Sequence, residues 1–174
     1  MEQRMNREIK LAEDDLIVSK TDLKGTITYC NRTFMRISGY SSPELLGQPH
    51  NIVRHPDTPR GMFKLLWDTI QQGREYHGFV KNMNRDNDIY WCFCTVMPNY
   101  TATQELHGYF SVQRQARPEA LDSMKEIYRQ MITIEQRNNS AGAPAASLQW
   151  LTEYLADRQV EYDPFIIHLQ KGEQ

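Results

Sequence analysis

The order in which the hydrophobic period changes along the chain constrains its fold more than any other feature. Two β-branched runs, residues 16–21 and 26–30, are joined by a turn that ends at Gly25, which is typical of a β-hairpin. Three further strand-like runs follow in the second half, at residues 76–84, 89–98 and 106–114. Because the segments that join these three runs are short, they favour antiparallel neighbours. The sequence therefore predicts an α+β fold in which a five-stranded antiparallel sheet carries helices over one face.

The segment between the two groups of strands contains several helix start and stop signals. Asn31 is suited to cap a short helix that stops at Gly39, and Ser41 to cap another that ends at Gly47. A longer helix is predicted over residues 59–72, where apolar side chains recur at helical spacing. These helices are the ones expected to pack on the sheet.

A further helix is predicted over residues 118–137, and its apolar side chains form a narrow stripe. Leu121, Met124, Tyr128 and Met131 recur at spacings of three, four and three, as in a coiled coil. Such a stripe leaves apolar surface in water unless it is covered, so we expect a homodimer through residues 118–137. In the alternative, residues 148–170 fold back over the stripe and the chain is a monomer.

Charge and cysteine content argue against several classes of partner. The formal net charge of −2 gives no electrostatic reason to expect nucleic acid or an anionic membrane as the main partner. Cys30, Cys92 and Cys94 form no CxxC pair, which fits a reduced cytosolic protein. The N-terminus lacks the apolar core of a signal peptide, and no apolar stretch approaches the roughly 20 residues that cross a bilayer. We therefore expect a cytoplasmic protein that contacts neither nucleic acid nor membrane.

Several strings in the first two thirds of the chain carry a family resemblance. They are Thr21-Asp22-Leu23, ITYCNRTFMRISGYSSPELLGQPHNIVRHPD, LLWDTIQQG, VKNMNRDNDIYW and GYFSVQR. Over about residues 16–117 the chain resembles a PAS sensor domain, and specifically the flavin-binding PAS domain of bacterial aerotaxis transducers. The resemblance implies a PAS fold with an FAD cavity between sheet and helices. It also implies redox or oxygen sensing, with a signal that leaves through the flanking helices.

The resemblance and the composition together divide the chain into five segments. We expect an N-terminal cap segment at 1–15, the PAS sensor domain at 16–117, the amphipathic helix at 118–137, a linker at 138–147 and a small helical tail at 148–174. No kinase or receptor coiled coil follows within the chain. We therefore expect the signal to pass to a chemoreceptor, a kinase or a cyclase, or through a dimer.

Ten residues are expected at the cofactor site of such a domain. They are Asn31, His50, Arg54, His55, Asp57, Trp67, Tyr76, Asn82, Tyr90 and Trp91. Tyr76 stands where the aerotaxis branch usually has a tryptophan, and a tyrosine ring can also stack on a flavin. In the same reading, reduction of the flavin would make Asn82 or Tyr90 reorient.

The string GQPHNIVRHPD, residues 47–57, is the densest cluster of polar groups. Arg54 and His55 can donate hydrogen bonds to a pyrophosphate, and Asp57 can orient one of them or cap the helix that follows Pro59. In the alternative, Asp57 is only a cap and the histidines are surface residues. We expect no metal, because His50 and His55 are five apart with Asp57 as the only close carboxylate.

Asn82 is the second candidate contact, because strand alternation places it on the same face as Tyr76, Gly78 and Val80. A buried carboxamide must be paired, and it offers both donors and an acceptor to the edge of a flavin ring. In the alternative, Asn82 bonds only to a neighbouring loop.

Other chemistries remain open or are unfavoured. A PAS domain can instead hold haem b, for which His50, His55 and His77 are the candidate ligands, or it can be a cofactor-free dimerisation or interaction module. A light-dependent cysteine adduct is not expected, because all three cysteines fall on predicted strands. We expect no enzyme activity, because the sequence shows no coupled base and nucleophile.

Overall fold

A computed structural model describes residues 7–172 of the 174-residue chain. The strands are β1 (Glu8–Ile9), β2 (Ile17–Thr21), β3 (Ile27–Cys30), β4 (Tyr76–Met83), β5 (Ile89–Tyr100) and β6 (Leu106–Gln115). The helices are α1 (Arg32–Ser38), α2 (Ser42–Leu45), α3 (Arg60–Ile70), α4 (Pro118–Arg137), α5 (Ala143–Ala156) and α6 (Tyr162–Lys171). The predicted α+β class is confirmed. No helix in this part of the chain is long and apolar enough to cross a membrane.

The sheet contains the five antiparallel strands that the sequence predicts, in the order β4-β5-β6-β2-β3. The short strand β1 is an addition, and it runs parallel to the start of β5 with Glu8 opposite Ile89. Two residues are too few to show a period of two, so β1 could not be predicted from the sequence. It belongs to the predicted cap segment at 1–15, of which residues 1–6 lie outside the described part.

The inner face of the sheet packs against α1, α2 and the 3₁₀ helix His50–Val53. Asn31 caps α1 as predicted, because its Oδ1 accepts the N–H of Phe34 at 3.0 Å. The same oxygen accepts the N–H of Val18 at 3.1 Å, which ties α1 to strand β2. Ile17 and Leu45 are fully buried in this inner core.

The outer face of the sheet is covered by α4. The stripe of α4 is buried within the chain: the Tyr128 ring lies 5.5 Å from Trp91, and the Tyr128 hydroxyl donates to the carbonyl of Phe79. Leu151 of α5 and Ile166 of α6 pack into the same apolar cluster. This is the predicted alternative, in which the tail folds back. The stripe on which the homodimer prediction rested is therefore not free to pair with a second copy.

The C-terminal boundaries differ from those expected. Helix α5 begins at Ala143, inside the predicted linker at 138–147, because Pro144 suits a first helical turn and the alanines around it favour a helix. The connection between α4 and α5 is therefore only residues 138–142. Helix α6 begins at Tyr162, within the predicted tail at 148–174.

Candidate functional site

A cavity of about 240 Å³ lies between the inner face of the sheet and helix α3. Apolar side chains of α3 form one wall, among them Leu66, Trp67 and Ile70. The sheet forms the opposite wall, where Val80 and Asn82 of β4 lie near inward-facing residues of β5 and β6. The α3 wall of the cavity is thus apolar, and the polar groups are confined to the sheet side and the opening.

Two buried carboxamides form the polar part of the sheet wall. Asn82 of β4 and Gln113 of β6 are 6% and 4% exposed, and Nδ2 of Asn82 donates to Oε1 of Gln113 at 3.0 Å. Among residues 7–172, no other hydrogen bond engages Oδ1 of Asn82 or the amino group of Gln113, so both are available to a ligand. An acceptor and a donor therefore stand side by side on the cavity wall.

Two cationic side chains line the cavity, Arg54 and Lys24. Lys24 is exposed and Arg54 is half-buried, so both lie where the cavity opens to solvent. The Arg54 guanidinium lies 4.1 Å from the centre of the Phe63 ring and donates to the carbonyl of Thr58 at 2.8 Å. Within the described residues neither cation forms a salt bridge. Because neither cation is paired there, an anion at the opening would be favoured electrostatically. Burial lowers the pKa of Arg54, and the negative charge of Glu135 opposes that shift.

His50 also lines the cavity, but its ring nitrogen is already engaged. Nε2 lies 2.9 Å from the Ser19 hydroxyl, and the ring stacks on Phe34 with centres 5.6 Å apart. Burial lowers the pKa of His50, which keeps the imidazole neutral near pH 7. Of the three histidines considered as haem ligands, His55 and His77 do not line the cavity.

His55 and Asp57 lie beside the cavity rather than in it. Nδ1 of His55 accepts the N–H of Asp57 at 3.0 Å, and the Asp57 carboxylate pairs with Lys81 at 2.7 Å. The hydrogen bond from Lys81 lowers the pKa of Asp57. Of the two roles predicted for Asp57, the structure places it beside His55, with Oδ2 3.6 Å from Nδ1, and it does not cap the next helix, because Lys81 holds its carboxylate.

The cap of helix α3 comes instead from Glu135 at the end of α4. Its two carboxylate oxygens accept the N–H groups of Arg60 at 3.0 Å and Gly61 at 2.9 Å. Pro59, the residue before the helix, has no side chain able to accept these bonds. Local sequence gave no signal for this contact, because the two partners are 74 or 75 residues apart.

The aromatic candidates separate into one cavity residue and three others. Trp67 lines the cavity and meets Tyr109 edge to face at 5.7 Å. Trp91 points to the outer face, as the alternation of β5 requires, and Tyr90 is buried in the inner core. Tyr76 lies behind the cavity, where its hydroxyl is 3.3 Å from that of Tyr162.

Of the ten predicted site residues, the structure thus brings four to the cavity: His50, Arg54, Trp67 and Asn82. Asn31, the cap of α1, is not among them. Gln113, Ser111 and Lys24 line the cavity and were not predicted. The two β6 residues could have been found, because Tyr109, Ser111 and Gln113 alternate along the strand and a short antiparallel connection places β6 beside β5.

The three cysteines are free thiols, and all of them are buried. Cys30 lies on β3, and Cys92 and Cys94 on β5, all on strands as predicted. Cys94 lines the cavity, and burial raises the pKa of its thiol to about 12, which makes it a poor nucleophile. Among residues 7–172, no group of three potential ligands from His, Cys, Asp and Glu could hold a metal ion.

Curated relatives support the resemblance seen in the sequence. The aerotaxis receptor of Escherichia coli K12 is 39% identical over 119 residues, which cover 68% of this chain and 23% of the receptor. The nitrogen fixation regulatory protein of Klebsiella pneumoniae is 33% identical over 97 residues, covering 56% of this chain and 20% of that protein. The chain therefore spans less than a quarter of the length of either relative.

Solved structures share the fold. A light-oxygen-voltage domain studied with a flavin analogue aligns with a TM-score of 0.56 and 16% identity, covering 64% of this chain and 83% of the other. The light-oxygen-voltage domain of the Erythrobacter litoralis EL346 histidine kinase gives 0.51 and 20%, covering 57% and 93%. The model of the PAS fold family matches residues 15–116, more than half of the chain. The chain therefore belongs to the PAS family of sensory domains found in signal transduction proteins.

Proposed function

We propose that this chain is a non-enzymatic sensor that binds FAD in the cavity and passes the redox state of the flavin to a signalling partner. The carboxamide pair Asn82–Gln113 on the cavity wall is the observation that carries the proposal. It is supported by the two cations at the opening and by the similarity to an aerotaxis receptor.

The carboxamide pair suits the edge of a flavin ring. The pyrimidine part of that ring has an N–H donor between two carbonyl acceptors. Oδ1 of Asn82 can accept from the N–H, while the amino group of Gln113 can donate to a neighbouring carbonyl. The apolar walls around Leu66 and Val80 suit the two faces of a flat ring.

The opening suits the phosphates of the dinucleotide. A volume of about 240 Å³ is below the roughly 300–1,000 Å³ typical of small-molecule sites, so we propose that the cavity encloses only the ring and not the whole of FAD. The remainder would lie at the opening, where the planar fork of Arg54 and the ammonium of Lys24 can bind phosphate oxygens.

The same residues can respond to a change in the flavin. Bound flavin supplies reversible reduction, which adds a proton to the ring and changes the hydrogen bonds that it accepts. A carboxamide can present either its N–H or its carbonyl after rotation, so Gln113 can follow such a change if Asn82 moves with it. Strand β6, which carries Gln113, runs directly into α4 through residues 116 and 117.

The partner is proposed from the relatives. One is named as a receptor, another as a regulatory protein, and a structural neighbour is a histidine kinase. We propose that this chain likewise acts on a downstream signalling protein such as a chemoreceptor, a kinase or a cyclase. Because α5 and α6 already cover α4, a homodimer through residues 118–137 would require them to move.

An absorption spectrum of the protein mixed with FAD and then freed of unbound ligand tests the proposal. Bound flavin absorbs near ~450 nm and haem near ~400 nm, whereas an empty domain shows neither band. Retained flavin supports the proposal. A colourless protein would favour a cofactor-free module, and a band near ~400 nm would favour haem.

Variants then test the proposed contacts. Asn82→Ala, Gln113→Ala and Arg54→Ala should each weaken FAD binding about ten- to a hundredfold, the effect of losing one hydrogen bond to a charged or buried group. Two matched controls lie away from the cavity: Gln71→Ala removes an exposed amide and Arg85→Ala a cation paired with Glu44. Both controls should bind as the wild type does.

A further inference from the structure

Two faces of helix α3 contact different parts of the protein. Phe63, Leu66, Trp67 and Ile70 line the cavity. Gly61, Met62 and Leu65 turn the other way, where Met62 and Leu65 join the cluster that contains Leu148 and Leu151 of α5. Helix α3 therefore separates the cavity from helix α5.

Contact between α3 and α5 is unusually close at Gly61. A Cβ placed on this glycine would lie 2.2 Å from the Ser147 hydroxyl, and 3.0 Å from both the N of Leu148 and the carbonyl O of Pro144. Two of these three atoms belong to the backbone of α5, which cannot give way as a flexible side chain would. The docked position of α5 therefore requires a residue without a side chain at 61.

Glu135 stabilises this contact between α3 and α5. The carboxylate that caps α3 through Arg60 and Gly61 also accepts a hydrogen bond from Ser147 at 2.6 Å. A negative charge at the first turn of a helix is favourable, because the free N–H groups there carry partial positive charge. One side chain of α4 thus holds α3 and α5 together.

Helix α6 touches the cavity wall at a second place. The Tyr162 hydroxyl donates to the carbonyl of His77 at 3.0 Å and lies 3.3 Å from the Tyr76 hydroxyl. The Tyr76 hydroxyl in turn lies over Gly78, 2.3 Å from where its Cβ would be. Gly78 pairs with Cys94, which lines the cavity.

We propose that α5 and α6 form a cover whose docking depends on the ligand in the cavity. The coupling runs through helix α3, where α5 docks on the side away from the cavity, and through Tyr76, which contacts α6. The proposal deepens the proposed function, on which it rests, by naming the element that responds to the ligand. Each docking point is one layer behind a cavity-lining residue, so a ligand that shifts α3 or β4 alters the fit of the cover. By linkage, release of the cover must alter ligand affinity.

The test uses the full 174-residue chain with FAD as the probe. Gly61→Ala places a methyl group between α3 and α5, and Glu135→Gln weakens the fastening without adding bulk should the first variant fold poorly. Lys64→Ala, on the exposed side of α3, is the matched control. The measurements are amide hydrogen exchange over residues 143–171, with and without FAD, and the affinity for FAD.

We expect FAD to change exchange over 143–171 in the wild type. Both cover variants should raise exchange there and shift FAD affinity on the order of tenfold, while Lys64→Ala does neither. The proposal is wrong if the variants raise exchange but bind FAD as the wild type does, and if FAD does not change exchange over residues 143–171. The cover is then not coupled to the cavity.

Failure of FAD to bind the wild type would overturn the proposed function alone. The coupling between the cover and the cavity is then tested without ligand, by altering the cavity side of α3 with Trp67→Phe. Raised exchange over 143–171 in that variant supports coupling through α3, and exchange equal to that of the wild type contradicts it.

Discussion

The carboxamides of Asn82 and Gln113 meet above Cys92, across the width of strand β5. In the sheet Asn82 lies opposite Tyr90 and Gln113 opposite Cys94, so Cys92 is the inward-facing residue between them. The bond of 3.0 Å joins the edge strand β4 to β6, although these strands are not neighbours. It therefore stabilises the sheet as well as shaping the cavity wall.

This bond predicts non-additive effects on stability without ligand. Asn82→Ala leaves the Gln113 carbonyl without its donor, and Gln113→Ala leaves the Asn82 amide without its acceptor. The double variant loses the bond only once, so a double-mutant cycle should give a coupling of about 1 kcal/mol by chemical denaturation. Asn82→Ala combined with the distant Lys64→Ala should instead be additive within about 0.5 kcal/mol.

Two glycines separate the cost of backbone strain from that of crowding. Gly25 and Gly47 have φ of +83° and +82°, but a Cβ on Gly25 would lie 3.1 Å from the Trp67 ring, whereas one on Gly47 meets nothing within 4 Å. Gly47→Ala should therefore cost about 1–2 kcal/mol from strain alone. Gly25→Ala should cost more in the same denaturation measurement, and Trp67→Phe should recover the excess. Equal costs for the two glycines would show that Trp67 yields freely.

Replacing Tyr90 with phenylalanine should change the free energy of unfolding in the opposite direction from replacing Tyr128. Within residues 7–172 the Tyr90 hydroxyl is buried without a hydrogen-bond partner, whereas that of Tyr128 donates to the carbonyl of Phe79. Tyr90→Phe removes an unpaired polar atom, so the free energy of unfolding should stay level or rise by up to about 1 kcal/mol. Tyr128→Phe should lower it by about 1 kcal/mol. A clear loss of stability in Tyr90→Phe would mean that its hydroxyl has a partner, such as a bound water.

The sheet and most helices could be predicted because their signals are local. Period-two runs marked the five long strands, and Asn31 and Gly39 bounded α1 as expected. The site could be predicted only in part. The alternation along a strand shows which side chains share a face, but it does not show which of the two faces lines the cavity. Asn82 was predicted in this way, and the same alternation applied to β6, with its short antiparallel connection to β5, would have identified Gln113 as well.

The contacts that the sequence could not predict join distant segments. Asp57 has the position and chemistry of a cap for α3, yet Lys81 binds it and Glu135 provides the cap. The coiled-coil spacing in α4 indicated an apolar partner correctly, but the same spacing serves a second copy, a sheet or a folded-back tail equally well. Only the three-dimensional arrangement decides among partners of the same chemistry.

Stability should fall as the pH drops below about 6.5. Burial lowers the pKa of His50 and of His55 below their ordinary value near 6.5, so the unfolded chain binds protons first. The stabilisation is therefore full above that value and is lost as the pH falls, by at most about 1.4 kcal/mol per pH unit for each histidine. His50→Gln and His55→Gln should each flatten the dependence between pH 7 and pH 5 in denaturation curves. An unchanged slope in either variant would show that its histidine is not the group that titrates.

The association state of the chain should depend on whether α5 and α6 cover α4. Met124 and Met131 are 1% and 0% exposed in the full chain, where α5 and α6 complete their apolar surroundings. We expect the 174-residue chain to sediment as a monomer at micromolar concentration. A chain ending at Arg137 lacks Leu151, Leu155 and Ile166 and so exposes apolar surface of α4, which should drive self-association through the coiled-coil spacing of the stripe. A monomeric truncated chain with an intact fold by circular dichroism would show that the sheet alone covers α4. A dimer of the full chain that persists when Met131→Glu places a charge within the stripe would locate the interface elsewhere.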